Sequence, residues 1–345
     1  MVNLVTSFLA EYHNLMDNLS DPRVNNWPMM SSPLPTLAIC LFYAYFAKNL
    51  GPKMMKNRKP FQLKGVLIVY NLFQVCFSTW LFYEACVSGW AGKYSFRCQP
   101  VDYSDDPMAT RMARGCWWYY ISKFTEFFDT LFFILRKKDD QVTTLHVIHH
   151  GIMPFSVWSG VKFTPGGHST FFGLLNTFVH IIMYSYYLFS ALGPRFQKFL
   201  WWKKYLTALQ MVQFVLVMIH AFQLLFVECN YPRAFVWCIG LHAVMFYFLF
   251  TDFYKQAYIK KKAAQAKRAL NRAISVPVQV AAVRDNHTLK SLVQNVHRGM
   301  CCVACSAVLM EPHIIGIHII RFRPQEVISI CSAVDGYGNA IFVDL

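Results

Sequence analysis

The chain has 345 residues with 33 Lys and Arg against 18 Asp and Glu, a formal charge of +15, yet only 15% of residues are charged while 55% are hydrophobic and 17% aromatic. An ordinary globular chain carries about 25% charged residues, and the mean hydropathy here is +0.31. Disorder, a collagen-like fibre and a small disulfide scaffold are thereby excluded, a soluble enzyme fits poorly, and an all-α integral membrane protein is expected.

In chain order, the first 23 residues hold Glu11, Asp17 and Asp21 and no clean apolar stretch, so no cleavable signal peptide is predicted. Seven apolar stretches of spanning length follow. The first lies within the uncharged run Val24 to Ala47 and the second is Gly65 to Gly92, broken only by Glu84. The third, Gly115 to Leu135, holds Lys123, Glu126 and Asp129. The fourth is Leu145 to Val161, short and His-rich; then come Ser169 to Leu192, Tyr205 to Val227 and Ala234 to Thr251. Gly, Pro and charge clusters separate them.

Basic residues alternate by loop. The loops after spans one, three, five and seven hold 20 Lys and Arg against 6 in the opposite set. The positive-inside rule then predicts a cytosolic C-terminus and a non-cytosolic N-terminus. The charge surplus is thus accounted for by loops, and no nucleic-acid motif surrounds it. Cys98, after span two, and Cys229, after span six, both fall on the non-cytosolic, oxidising side, so a disulfide between them is expected. Asn18-Leu19-Ser20 is a glycosylation sequon on that same side.

A charged side chain at mid-membrane costs roughly 2.5–3.5 kcal/mol on insertion scales. Lys123, Glu126 and Asp129 must therefore pair or face a bundle interior. Lys123 and Glu126, three apart, share a helix face and read either as a structural ion pair or as the wall of a polar cavity. His146, His149 and His150 lie at i, i+3 and i+4 and point to one side of a helix. Asn176, His180, Tyr184 and Tyr187 form a second stripe on span five; Thr207, Gln210, Gln213 and His220 form a third on span six. Four consecutive spans with polar stripes are most simply satisfied by one shared chamber.

Histidine in such a chamber can bind metal, move protons or act as a nucleophile. A His-x-x-His-His box also occurs in membrane di-iron desaturases and hydroxylases, which need about eight His ligands from several boxes. This chain has 12 His and no second clustered box, and Lys123 near the site disfavours a cation, so no metal site is expected. A seven-helix receptor or transporter would suit the span count, but neither an Asp-Arg-Tyr nor an Asn-Pro-x-x-Tyr signature is present, nor an evident inverted repeat.

Four motifs occur in order: Lys123-x-x-Glu126-x-x-Asp129-Thr130, His146-x-x-His149-His150, His180-x-x-Met183-Tyr184-x-Tyr186-Tyr187 and Thr207-x-x-Gln210-x-x-Gln213. Together they resemble the motif set of the very-long-chain fatty acid elongases, the 3-ketoacyl-CoA synthases of the endoplasmic reticulum, over residues 15 to 270. Asp21-Pro22-Arg23-Val24 and Gly166-Gly167-His168-Ser169 resemble the branch acting on saturated and monounsaturated chains. The resemblance implies seven transmembrane helices, six of them enclosing an acyl tunnel. It also implies condensation of long-chain acyl-CoA with malonyl-CoA, no bound cofactor, and residence in the reticulum membrane with a luminal N-terminus. The implied partners are the reductases and dehydratase of the elongation cycle, and a homo-oligomer is compatible with it. By resemblance His149 is the nucleophile and His180 faces it. His146 and His150 then orient and handle protons, with Lys123, Asn176 and Gln213 as donors to substrate oxygens, Glu126 and Asp129 orienting them, and Tyr184, Tyr187 and Gln210 binding substrate.

The expected organisation is a non-cytosolic segment 1–26, a catalytic membrane domain 27–255, a basic cytosolic segment 256–272 and an atypical tail 273–345. The tail ends without the terminal lysines that return many family members to the reticulum. It holds Cys301, Cys302 and Cys305, read as free thiols, and no stretch long enough to span.

Overall fold

Helices dominate residues 2–260 of the computed structural model, which also describes residues 263, 267 and 268 and the segments 331–334 and 340–343. The elements are α1 (Val2–His13), α2 (Leu34–Tyr45), α3 (Gly51–Met55), α4 (Lys64–Ala85), α5 (Pro107–Thr125) and α6 (Phe127–Leu135). They continue with α7 (Thr144–Phe163), α8 (Thr170–Leu192), α9 (Pro194–Gln197), α10 (Lys203–Phe222), α11 (Arg233–Tyr254), β1 (Cys331–Val334) and β2 (Ala340–Val343). They fall into two units, Met1–Ile259 and Lys260–Leu345.

In the second unit β1 and β2 pair antiparallel, Cys331 opposite Val343 and Val334 opposite Ala340. The all-α expectation therefore applies to the first unit only. Two short apolar runs flank Asp335-Gly336-Tyr337-Gly338-Asn339, a turn-rich stretch that favours a hairpin over a helix. The other readings of the tail, including Cys301, Cys302 and Cys305, lie outside the described residues.

Among the described residues, four helical stretches are long and apolar enough to cross a membrane: Lys64–Trp90, Gly167–Leu192, Lys203–Leu225 and Arg233–Lys260. They correspond to the second, fifth, sixth and seventh stretches read from the sequence. For the first, α2 lies within the run Val24 to Ala47, as expected. Its helix starts only at Leu34 and runs through a wide turn at Phe46–Leu50 into α3. Pro28, Pro33 and Pro35 explain the late start, since proline is tolerated in a first turn and not within a helix. Lys48 and Lys53 are thus carried on this helical stretch and not on a loop. The third stretch is broken: α5 ends at Thr125 and α6 begins at Phe127, with Glu126 at the junction. Ser122 Oγ donates to the Tyr119 carbonyl and Thr125 Oγ1 to the Ser122 carbonyl, both at 2.7 Å. Such back-bonding competes with the helical ladder and bends it.

The helix α7 carries the histidine box. Thr143 caps its start, accepting from His146 N at 3.2 Å. Pro154 sits inside it. Having no N–H, Pro154 leaves the His150 carbonyl without its intrahelical donor.

The helices pack α4 on α8, α10 on α11, α5 on α7, α2 on α7 and α8 on α10. Their outer faces expose Val69, Leu72, Phe73, Leu216, Leu241 and Phe248, as faces turned to lipid do. Residues of α4, α5, α7, α8, α10 and α11 line a pocket in the bundle. Its wall is mostly apolar, with Leu81, Met112, Met153, Val217, Ile239 and Phe246 among its residues.

The end of this bundle away from the histidine box is tied by polar contacts. Asp21 and Arg23 pair at 2.7 Å, and Arg23 also donates to the Ser104 and Asp102 carbonyls. Lys162 Nζ donates to Asn25 Oδ1 at 2.6 Å. Arg111 and Glu84 pair at 2.7 Å, which explains the lone charge in the second stretch. Gly166 and Gly167, at φ +148° and +65°, turn the chain from α7 into α8; a Cβ on Gly167 would meet the Gln99 and Pro100 backbone at 2.9 Å. The loops after α4 and α10 are joined by a disulfide between Cys98 and Cys229, 131 positions apart.

A cross-link closing so long a segment restricts the unfolded chain, typically by about 2–4 kcal/mol. Cys98→Ser should lower the thermal midpoint in detergent, and reductant should lower that of the unmodified protein and leave the variant unmoved. A wild-type midpoint indifferent to reductant would contradict this role.

Candidate functional site

Glu126 organises the interior. Its carboxylate lies at the α5–α6 break, and its side chain and that of Lys123 are each 2% exposed. Lys123 Nζ donates to Glu126 Oε1 at 2.6 Å and to Asn176 Oδ1 at 3.1 Å. Tyr119, one turn before Lys123, donates to the same Asn176 oxygen at 2.8 Å, and the ammonium sits 4.4 Å from the Tyr119 ring centroid. The charge that the sequence placed in lipid is thus met by a carboxylate, an amide oxygen and an aromatic face.

Two histidines from two helices share that carboxylate. His180 Nδ1, on α8, is 3.4 Å from Glu126 Oε1, and His150 Nδ1, on α7, is 3.9 Å from Oε2. The box is continued by ring contacts. The centroids of His146 and His150 are 4.4 Å apart, and those of His149 and His150 5.2 Å. His146 Nε2 bonds Thr130 Oγ1 at 2.7 Å, which bonds Tyr43 Oη at 2.8 Å. His149 stands edge-on to Phe246 at 4.8 Å, and Phe246 is part of the cavity wall. Its buried Nδ1 has no hydrogen-bond partner, and neither does the buried Gln213 Oε1.

The other sequence-derived residues divide. Asp129 Oδ2 accepts from Tyr184 Oη at 2.7 Å, so it orients a tyrosine and not the amides expected of it. The Tyr184 ring lies 5.6 Å from His180 and 6.0 Å from Tyr187. Gln210 contacts Met183 Sδ at 3.5 Å, toward α8, and Thr207 pairs with Tyr258 at 3.3 Å. The site therefore joins Lys123, Glu126, Asn176, His146, His149, His150 and His180, with Asp129, Tyr184 and Tyr187 beside them. Tyr119, Tyr43 and Thr130 were missed as partners. Tyr119 stands at i−4 from Lys123, a same-face signal that could have found it.

Chemically, a carboxylate 3.4 Å from His180 Nδ1 and 3.9 Å from His150 Nδ1 favours a protonated ring nitrogen on that side, which would leave Nε2 to attack or to take a proton. Among the described residues, no group of three or more His, Cys, Asp or Glu is disposed to hold a metal ion.

Residues 28–266 match the family model described as ELO: GNS1/SUR4 family. A very long chain fatty acid elongase of Aedes aegypti is 67% identical over 77% of this chain and 74% of its own length. Very long chain fatty acid elongase 7 of Drosophila melanogaster is 66% identical over 75% and 79%. The protein of that name in Rattus norvegicus is 54% identical over 74% and 92%.

Removing one partner of a buried pair strands the other, at about 3–5 kcal/mol. Glu126→Gln should lower the thermal midpoint strongly and abolish activity. The double variant Lys123→Met with Glu126→Leu should recover much of the midpoint and none of the activity. Full activity in the double variant would reduce the pair to a scaffold.

Proposed function

The chain belongs to the ELO (GNS1/SUR4) family, and on that premise we propose that it catalyses the condensing step of very-long-chain fatty acid elongation. In this reading a long-chain acyl-CoA and malonyl-CoA give a 3-ketoacyl-CoA two carbons longer, with release of carbon dioxide and CoA. The observation that carries the reading is one carboxylate, Glu126, shared by imidazoles from α7 and α8 beside a large apolar cavity.

The proposed route is covalent. An imidazole nitrogen of His149 attacks the thioester carbon, the C–S bond breaks, and CoA leaves with the imidazole proton. The cavity holds the acyl tail and keeps bulk water from the acyl-imidazole. Malonyl-CoA then loses carbon dioxide, leaving a carbanion that attacks the acyl carbon. The C–N bond breaks and the histidine is restored. Lys123, Asn176 and the Gln213 amide nitrogen supply donors to thioester and enolate oxygens; His149 Nδ1 and Gln213 Oε1 are buried without a partner in the protein. His180, its Nδ1 3.4 Å from Glu126, relays a proton taken up from solvent to the His149 imidazole as the C–N bond breaks. The scheme uses no bound cofactor.

We further propose seven spans, six of them around an acyl tunnel, in the endoplasmic reticulum membrane with the N-terminus luminal. The loop charge bias supports the orientation, and the basic residues Arg136, Lys137 and Lys138 just before α7 suit the phosphates of CoA. The 3-ketoacyl product requires reductases and a dehydratase to complete a cycle. Relatives named elongase 7 accord with substrates of the saturated and monounsaturated branch.

Purified protein given acyl-CoA alone should release stoichiometric CoA and carry an acyl group on His149 by mass spectrometry. CoA release only after malonyl-CoA is added would sink the covalent step. His149→Ala should abolish condensation with expression intact, and retained turnover would demote the residue.

A further inference from the structure

A second histidine pair lies at the opposite end of the cavity from the box. His168 follows α7 and His220 ends α10; their rings stack with centroids 3.8 Å apart and planes 10° apart. They are 3% and 8% exposed. Both line a second, smaller cavity with Tyr231. This cavity adjoins the large one, since Ser169, Phe172, Val217 and Ile239 line both. Roughly 21 Å of helix separates His149 from Phe163 at ~1.5 Å per residue, so the two imidazole sets bracket the length of the apolar space.

The hydrogen bonds of this pair define what it offers. His168 Nε2 faces the His220 carbonyl at 2.7 Å and must donate to it, so Nδ1 is a bare acceptor. Gln223 Nε2 lies 2.8 Å from the Phe96 carbonyl and 3.0 Å from that of His220, which fixes it as the donor end of the amide. It also lies 3.1 Å from His220 Nδ1. That nitrogen therefore accepts, and the proton of His220 is on Nε2. Both His168 Nδ1 and His220 Nε2 are buried without a hydrogen-bond partner, and Tyr231 beside them is 5% exposed.

We propose that the far end of the cavity is a binding site for a terminal hydroxyl, and that the protein accepts ω-hydroxyacyl-CoA as a second substrate class. One acceptor and one donor on rings stacked 3.8 Å apart match a hydroxyl, which gives one hydrogen bond and takes one. A terminal carboxylate would set its oxygens against the His168 acceptor and bury a charge. A methyl terminus satisfies neither nitrogen. The inference rests on the reading of the large cavity as the acyl site.

The test is elongation with labelled malonyl-CoA by the full-length protein in membranes, over a graded series of ω-hydroxyacyl-CoAs and their methyl-terminated counterparts. A single chain length should bring the hydroxyl to the pair. At that length kcat/KM should exceed the shorter and longer ω-hydroxy homologues by roughly tenfold, the value of one well-made buried hydrogen bond, and the methyl series should show no such maximum. His220→Phe, which keeps the stacked ring and removes the donor, should erase the maximum. Tyr231→Phe, a smaller change, should lower the ratio of ω-hydroxy to methyl turnover at that length. Equal turnover of the two series at every length would overturn the proposal and leave the pair bonded to water only. Failure to consume malonyl-CoA with every substrate would instead overturn the elongation reading beneath it.

Discussion

A carboxylate buried beside an ammonium in a bilayer-spanning bundle is the constraint from which the rest of the interior follows. Neither Glu126 nor Lys123 can face hydrocarbon, and each is met at hydrogen-bond distance by the other. Of the two remaining ammonium directions one is taken by Asn176, with the Tyr119 ring 4.4 Å from Nζ; His180 lies against the carboxylate oxygen that Lys123 bonds, and His150 approaches the other. The consequence is geometric. Three helices, α5, α7 and α8, must bring their polar stripes to one point, and the imidazoles that get there are already oriented. The carboxylate that offsets the buried ammonium also lies 3.9 and 3.4 Å from ring nitrogens of α7 and α8, so one group serves both the charge balance and the imidazoles.

The same constraint explains why the protein is polar within and apolar without. Asn71, Gln74 and Ser78 on α4 are buried while Val69, Leu72 and Phe73 on the same helix are exposed. Gln74 bonds Tyr70 and Thr125, next to the break at Glu126, at 3.0 and 3.1 Å. Polar satisfaction thus spreads outward from the charged pair to its neighbours, and beyond Phe246 and Met153 the wall turns apolar. The boundary between the two regions lies beside His149, where a reacting thioester and its fatty tail would need different surroundings.

Much of this was legible in the sequence, for a definite reason. Charges in an apolar run cannot be ignored, and spacings of three and four residues give a shared helix face without further information. Lys123, Glu126 and the histidine box were legible on those grounds. The break at Glu126 was not, because the hydroxyls of Ser122 and Thr125 bend the helix through backbone contacts that leave the apolar pattern unchanged. The late start of the first span was written in Pro28, Pro33 and Pro35, but an uncharged run masks such punctuation. The partner of Asp129 was not legible, because helical spacing tells which residues share a face on one helix and says nothing of the residue opposite, here Tyr184. His168 was read only as part of the Gly166-Gly167-His168-Ser169 stretch, and nothing in its spacing pointed to His220 as its partner.

Two imidazole systems therefore bound one apolar space, and the protein prepares them by different means. At the box end a carboxylate meets ring nitrogens, which concentrates basicity on the free ones. At the far end a carbonyl and an amide meet them, which fixes proton positions without adding charge. A neutral donor and acceptor cannot stabilise a developing anion as Lys123 can, so the far pair is unsuited to bond-making and suited to recognition. The loops around it are held by the Cys98–Cys229 bridge, and Phe222 and Cys229 pack with Tyr231 in one apolar cluster. The rigidity needed to read the end of a flexible chain is thus supplied at the end of the bundle, where the chain would stop.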